Sequence, residues 1–550
     1  MSGNGGERDR RRCRAVGRLL AAALLWTAAA PAHAQEALPI LARLGPWPVV
    51  SNLIGYGGRL WLTNSVKGVN HNSAEIYSYD PGDGALRYER HLFSQDAGLP
   101  VVFGGLLYWP YEDSRFSLGW GRFAVTDGAR WRSGVIPSAR AFHTHALAGL
   151  DGRLVAATSA WRAGLQVSED GGVTWRPAYD HPTPDRRVSR ITTLAGLGGS
   201  LVGGLRDPAG RRLVCFDGQT VEDLPGWPKG QAVEGPVVRD GRLYGLVATA
   251  GGAAVWRSDG VASERVSEAR RGWRPRGLAA GPGGLWTVSA ESTGGLLWYS
   301  PDGRRWKARF RLEGGTPHAV ALYGGRPYVA GAGSDGRGIL WGPAPPAPVE
   351  APATKPEPLE GFPGRAPAPG DWVAMGAELD GALVDPASYG GHGRVLRDLV
   401  YRTALAGPPP GFFAERLSAS VPDMTVSLIG GATVATAKQL ARWTLLWGMA
   451  LAGEGRVPAE LIAEPWTAPA NRSEKYFETA PAAIWAAGEI GQDDRETLDA
   501  LIDRLERPGD PPWLLGDLVG ALTALTGERF GFDPAAWRAW WEAARKTWPR

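Results

Sequence analysis

Cysteine is the first scarcity: Cys13 and Cys215 are the only two in 550 residues. Cys13 falls in a segment expected to be removed, which leaves Cys215 alone. One thiol cannot form an internal disulfide, and the sequence predicts a small buried residue in a strand. Net charge is the second. The formal +4 resides wholly in residues 1–34, where Arg8, Arg10, Arg11, Arg12, Arg14 and Arg18 face only Glu7 and Asp9. Without them, basic and acidic residues are equal in number. That removes the electrostatic case for nucleic acid or an anionic membrane surface. Long apolar runs are missing too. Leu19–Ala30 is too short to cross a bilayer comfortably, and the longest apolar helical stretch carries Lys438 and Arg442 midway. The expectation is a mature chain with no transmembrane segment. There is also no His-Glu-x-x-His, no paired Cys-x-x-Cys, no phosphate loop and no nucleophile elbow. No catalytic residue, metal site or cofactor is assigned on sequence.

What is abundant is Gly (77), Pro (44) and Trp (25). Many tight turns between short aromatic-bearing strands give that composition. The first 34 residues read as a signal peptide: the basic run, then Leu19–Ala30, then the cleavage pattern Ala32-His33-Ala34. Gln35 would be the new N-terminus of a periplasmic or secreted protein.

A turn of two small residues followed by an apolar strand recurs through the first half. It stands at Gly57-Gly58, Gly104-Gly105, Asp151-Gly152, Gly198-Gly199, Asp240-Gly241, Gly283-Gly284 and Gly324-Gly325. Two positions on come Leu60, Leu107, Leu154, Leu201, Leu243, Trp286 and Pro327. Gly-Gly and Asp-Gly suit two-residue hairpins because the backbone there needs positive φ. Second turns follow at Asp127-Gly128, Gly171-Gly172, Asp217-Gly218, Asp259-Gly260 and Asp302-Gly303. Four strands per repeat of about 40–50 residues predict an all-β, seven-bladed propeller over 35–342. The last repeat supplies only three strands, and the stretch Leu38–Leu44 is expected to complete it and close the ring.

Ser168-Glu169-Asp170-Gly171-Gly172-Val173-Thr174-Trp175 resembles the Asp-box, or BNR repeat, and Ser300–Trp306 resembles a degenerate copy. The resemblance implies a structural turn between outer strands, built by Ser168, Asp170, Gly172, Thr174 and Trp175, and supports the fold more than any activity. Sialidases carry such boxes, but their Arg-Ile-Pro motif is absent. The nearest string, Val135-Ile136-Pro137, lacks the Arg.

Residues 343–370 are a Pro/Ala-rich spacer. Beyond it, 371–550 turns helical, with helices predicted over Arg394–Ala406, Thr433–Ala452, Phe477–Ile490, Arg495–Leu505, Trp513–Thr526 and Pro534–Lys546. The small and apolar residues between Ala482 and Leu505 resemble a HEAT repeat, whose arrays serve as interaction surfaces. Asp533 is the expected N-cap of the last helix with Pro534 after it, and Trp537, Trp540 and Trp541 share one face.

One site follows from the register. Seven residues before each second turn Gly stand Ser51, Gly98, His145, Thr192, Glu234, Gly277 and His318, all polar or Gly. Two residues on, Leu53, Pro100, Leu147, Leu194, Pro236, Ala279 and Val320 are all apolar. Such paired rings suggest a channel mouth, and His143, His145, Glu234 and His318 are its ligand-binding candidates. Water filling the channel accounts for the same polarity. The tryptophans that follow blade turns, Trp131, Trp175 and Trp306, read as packing residues. The chain thus reads as an exported binding and scaffolding protein with a protein partner in the cell envelope. A glycan-directed propeller, lectin-like or sialidase-like, is the alternative.

Overall fold

The computed structural model describes residues 36–66, 74–112, 121–136, 141–183, 187–230, 233–268, 270–344, 371–428, 433–466 and 478–548. The expected signal peptide and the spacer from 345 to 370 lie outside them.

The hairpin turns organise the first half. In six of the seven, both central residues have positive φ; at Gly283-Gly284 only Gly284 does. Asp151 (φ 48°) and Asp240 (φ 51°) are the two non-glycine residues in this region among those described, a conformation that Asp tolerates better than most side chains. Each turn joins the innermost strand of an antiparallel sheet to the next strand outward. The sheets run Val101–Phe103 to Trp131–Ile136, His143–Leu150 to Arg176–Asp180, Arg190–Leu197 to Val221–Asp223, Val233–Arg239 to Arg270–Arg271, and Pro275–Gly281 to Lys307–Leu312. An eight-stranded sheet joins the two ends of this region. Its first four strands are Val49–Tyr56, Arg59–Ser65, Ala74–Tyr79 and Leu86–Leu92. The other four are Gly315–Tyr323, Arg326–Gly333, Gly338–Trp341 and Ile40–Leu44. The two sets meet at Val49 opposite Ala332. These sheets are the blades of a β-propeller. Ile40–Leu44 runs antiparallel to Gly338–Trp341, so the earliest described strand occupies the outer edge beside the last. Cys215 lies in a strand and is half-buried; burial, with Glu222 opposite, raises its thiol above the ordinary value.

Eight α-helices follow among the described residues: α1 (Trp372–Val384), α2 (Gly390–Leu405), α3 (Ala437–Ala452), α4 (Ala459–Ile462), α5 (Thr479–Ile490), α6 (Arg495–Arg504), α7 (Leu514–Thr526) and α8 (Pro534–Ala544). The expected helix over Thr433–Ala452 is corrected at its start. Thr433–Thr436 is a strand paired with Thr425–Leu428, in keeping with the β-branched Thr-Val-Ala-Thr sequence. Thr436 then caps α3 in a reciprocal box with Gln439. Helix α1, absent from the sequence reading, starts where the Asp371 carboxylate accepts from Val373 and Ala374 N–H. At α8, Asp533 accepts from Ala536 N–H at 3.0 Å, while Trp537 and Trp541 are buried and Trp540 is half-buried.

The helices do not stand apart from the blades. One apolar cluster contains Tyr77, Tyr88 and Phe93 of the first blade together with Trp485, Leu518 and Trp537 of the helices. Closure of the ring gives a testable outcome. Deleting residues 36–44 strips the partner from the Gly338–Trp341 edge, and an unpaired edge invites association with other chains. A lower unfolding midpoint and concentration-dependent association, read by light scattering, are expected; an unchanged midpoint would mean the Val49–Ala332 junction closes the ring alone.

Candidate functional site

The innermost strands carry the four channel-mouth candidates. His143 and His145 stack, with ring centroids 5.2 Å apart and planes 16° from parallel. His143 Nδ1 meets the Glu112 carbonyl, its Nε2 lies 3.4 Å from Arg190 Nη2, and His145 Nε2 lies 2.9 Å from Ser159 Oγ. Burial, with the nearby Arg190 charge, pushes His143 down to about 4. Burial, His143 and Arg190 hold His145 well below the ordinary imidazole value, so both rings are neutral at neutral pH. His318 is half-buried with Nδ1 2.9 Å from Arg276 Nη1, and Glu234 is exposed. Among the described residues, no group of three His, Cys, Asp or Glu is placed to hold a metal ion.

The polar ring has a backbone cause. Ladder register shifts at Val50/Asn52, Thr144/Ala146, Ile191/Leu194, Glu234/Val237, Arg276/Leu278 and Pro317/Ala319. A bulge at each shift leaves its extra residue out of the ladder. Ser51, His145, Thr192, Gly277 and His318 are bulge residues. Glu234 is paired with Leu246, and the bulge in its blade falls on Gly235 and Pro236. Several of these positions abut a neighbouring blade. Leu99 N–H donates to the His145 carbonyl at 3.1 Å, and Asn52 Nδ2 donates to the Ala97 carbonyl at 2.8 Å. A Cβ on Gly98 would come within 2.1 Å of the His145 carbonyl oxygen. Where the first three blades meet, the ring positions are thus places of close backbone approach.

The turn at Ser168–Trp175 is closed by its own polar groups. The Asp170 carboxylate accepts from Val173 N–H (3.0 Å), Thr174 N–H (2.9 Å) and Thr174 Oγ1 (2.6 Å). Ser168 Oγ accepts from Gly172 N–H at 2.7 Å, and Trp175 Nε1 donates to the Gly172 carbonyl at 3.1 Å. Ser300, Asp302, Gly303 and Trp306 repeat most of these bonds. The Gly171 carbonyl also accepts from Tyr108 of the preceding blade at 3.0 Å. The turn is used for packing.

The densest buried chemistry lies elsewhere, where α5 and α7 press on the first two blades. His91 on the outer strand Leu86–Leu92 has Nδ1 2.9 and 3.0 Å from the two Glu75 oxygens and Nε2 2.8 Å from Asp517 Oδ1 on α7. None of these side chains is more than 1% exposed. Burial alone would lower the imidazole pKa, but Glu75 and Asp517 outweigh it and raise it to about 9. Trp47 Nε1 and Tyr88 OH also donate to Glu75. Helix α7 reaches this depth because Gly520 faces the ring: a Cβ there would lie 2.5 Å from His91 Cβ. Beside it, Arg90 pairs with Glu489 of α5 and Arg529 pairs with Glu89 at 2.7 Å. The wholly buried Arg122 stacks between Tyr111 (5.5 Å) and Trp485 (4.9 Å). Sequence reasoning missed this constellation. Gly520 inside a helix was its one local trace.

No protein family matches the sequence, and no curated protein matches it. Among solved structures, the β-propeller domain of the Trilobed protease from Pyrococcus furiosus is 10% identical with TM-score 0.37, over 54% of this chain and 96% of that one. YCF48 bound to a D1 peptide is 16% identical with TM-score 0.38, over 56% and 99%. A putative gluconolactonase is 16% identical with TM-score 0.32, over 57% and 93%. The propeller assignment rests on the sheet topology above.

Two outcomes follow from the buried histidines. Folded His91 keeps a proton that the unfolded chain loses between pH 6.5 and about 9. The stability it contributes is therefore full below pH 6.5 and falls by about 1.4 kcal/mol per pH unit across that window. Urea unfolding should show this alkaline limb in the parent and lose it in His91→Gln; an identical limb in both rejects the assignment. His143 runs the other way. Its lowered pKa means the unfolded chain takes up the proton first, so stability declines as pH falls from 6.5 towards 4, and His143→Gln should flatten that acid limb. Truncating Asp517 to Ala, which leaves buried charge poorly compensated, is expected to cost about 3 kcal/mol in the same assay.

Proposed function

We propose that this is an exported binding and scaffolding protein of the cell envelope. On this reading it is a seven-bladed propeller, the eight-stranded sheet counting as two blades split at Val49–Ala332, with Asp-box turns on its outer edge and a HEAT-like array fixed to its first two blades. The observation that carries the proposal is the His91–Asp517 contact with its flanking Arg90–Glu489 and Arg529–Glu89 pairs. A helical array tethered only by a spacer would move independently of the propeller. Here buried, direction-specific bonds set the angle between them, which suits a protein that presents two surfaces to one partner. The stacked helices support the same reading: a Cβ on Gly488 of α5 would lie 3.1 Å from Ala521 Cα of α7, the close approach such arrays need.

The test uses residues 35–550 as bait in envelope extract, followed by reconstitution with the purified candidate. A complex of fixed stoichiometry by light scattering is expected. It should weaken at least tenfold in Asp517→Ala, where the angle between the surfaces is released. If no captured protein reconstitutes with the bait, the scaffold reading is abandoned.

A further inference from the structure

Between the outer strands of the first two blades and helices α5 and α7 lies a cavity of about 500 Å³. A second hollow of about 230 Å³ shares Arg130 and Trp131 with it. The larger is of the size and place, a junction between domains, at which small-molecule sites occur. Its walls carry Arg90, Arg130 and Arg529 against Glu89 and Glu489, with Trp131 and Trp485 as aromatic surfaces.

The charges are not evenly presented. Arg130 has a side chain 64% exposed, while Asp127, its partner, is 8% exposed. Arg529 is 44% exposed and its partner Glu89 only 2%. In both pairs the carboxylate is buried behind and the guanidinium stands in front. A guanidinium has five N–H donors in a fixed fork, and these two spend only some of them. Arg130 gives Nε and Nη2 to Asp127, and Arg529 gives Nη1 to Glu89 and the Tyr88 carbonyl. Behind Trp485 stands Arg122, buried, with none of its three nitrogens meeting an acceptor among the described residues. A buried cation without an acceptor is costly, and its field in a low-dielectric interior is weakly screened. An anion in the adjacent space would offset it.

We propose that this cavity binds a small anionic ligand. Its oxyanion, carboxylate or phosphate, is taken by Arg130 and Arg529, and its body lies against Trp131. The site is independent of any protein partner that the propeller or helices recruit.

Isothermal titration of the full mature chain at constant ionic strength, with inorganic phosphate, D-glucuronate and D-glucose as probes, tests this. Saturable binding of phosphate or glucuronate, with glucose much weaker, is expected; phosphate alone would mark a phosphate-bearing ligand and glucuronate alone a carboxylate. Arg130→Gln, at an exposed position and with an unchanged unfolding midpoint, should weaken the anion about tenfold, the size of one charge-assisted hydrogen bond. Arg176→Gln, on an exposed edge of the third blade, should leave it unchanged. Glucose binding as tightly as glucuronate, no saturable anion binding, or equal losses in the two variants would each overturn the proposal.

Discussion

A deeply buried imidazole held between two carboxylates decides where the second half of this protein sits. His91 belongs to a blade, Asp517 to a helix, and Glu75 to the strand beside His91. Removing three ionisable groups from water is expensive, and only a geometry that satisfies each of them offsets that expense. Apolar packing of Phe93 against Trp485 supplies attraction without direction. The ionic sandwich supplies direction. A helix rotated by one residue would replace Gly520 with a side chain for which there is no room, and would carry Asp517 away from the ring.

The same division of labour recurs within the propeller. Apolar side chains fill the space between blades, while main-chain bonds at the inner bulges and the bonded turns at Ser168 and Ser300 fix how each blade meets its neighbour. Buried polar groups such as His91 and Asn52 stand where orientation has to be set. The ring of polar positions, the natural place to look for a ligand site, follows the bulges, and its side chains turn to Asp96, Ser159 and Arg276 while Glu234 is exposed.

The propeller was legible in the sequence because its signal is local. A two-residue turn needing positive φ leaves Gly-Gly or Asp-Gly wherever it occurs, and its repetition gives the sheets. The ring at Ser51, His145 and His318 was legible as a pattern, but its cause was not, since a bulge is a property of register between two strands. Thr433–Thr436 was misread because an apolar and β-branched run ahead of a strong helix continues the helical spacing by accident. The junction was invisible for a different reason. His91 and Asp517 are 426 residues apart, and neither is unusual in its own surroundings: a histidine on an outer strand and an acid in the first turn of a helix. Trp131 was read as a packing residue; it is half-buried and also walls the cavity.

The placement of Ile40–Leu44 beside Gly338–Trp341 has a consequence for the order of assembly. The earliest described strand has its ladder partner in the last described strand of the blades, so the ring cannot finish while the chain is still growing through it. The blade that waits for closure shares a sheet with the blade that receives α7. Long-range pairings of this kind form slowly, because loop entropy is surrendered before any contact repays it. The first blade is thus where two distant parts of the chain must both arrive, the last blade at Val49–Ala332 and the late helices at His91–Asp517 and Glu89–Arg529.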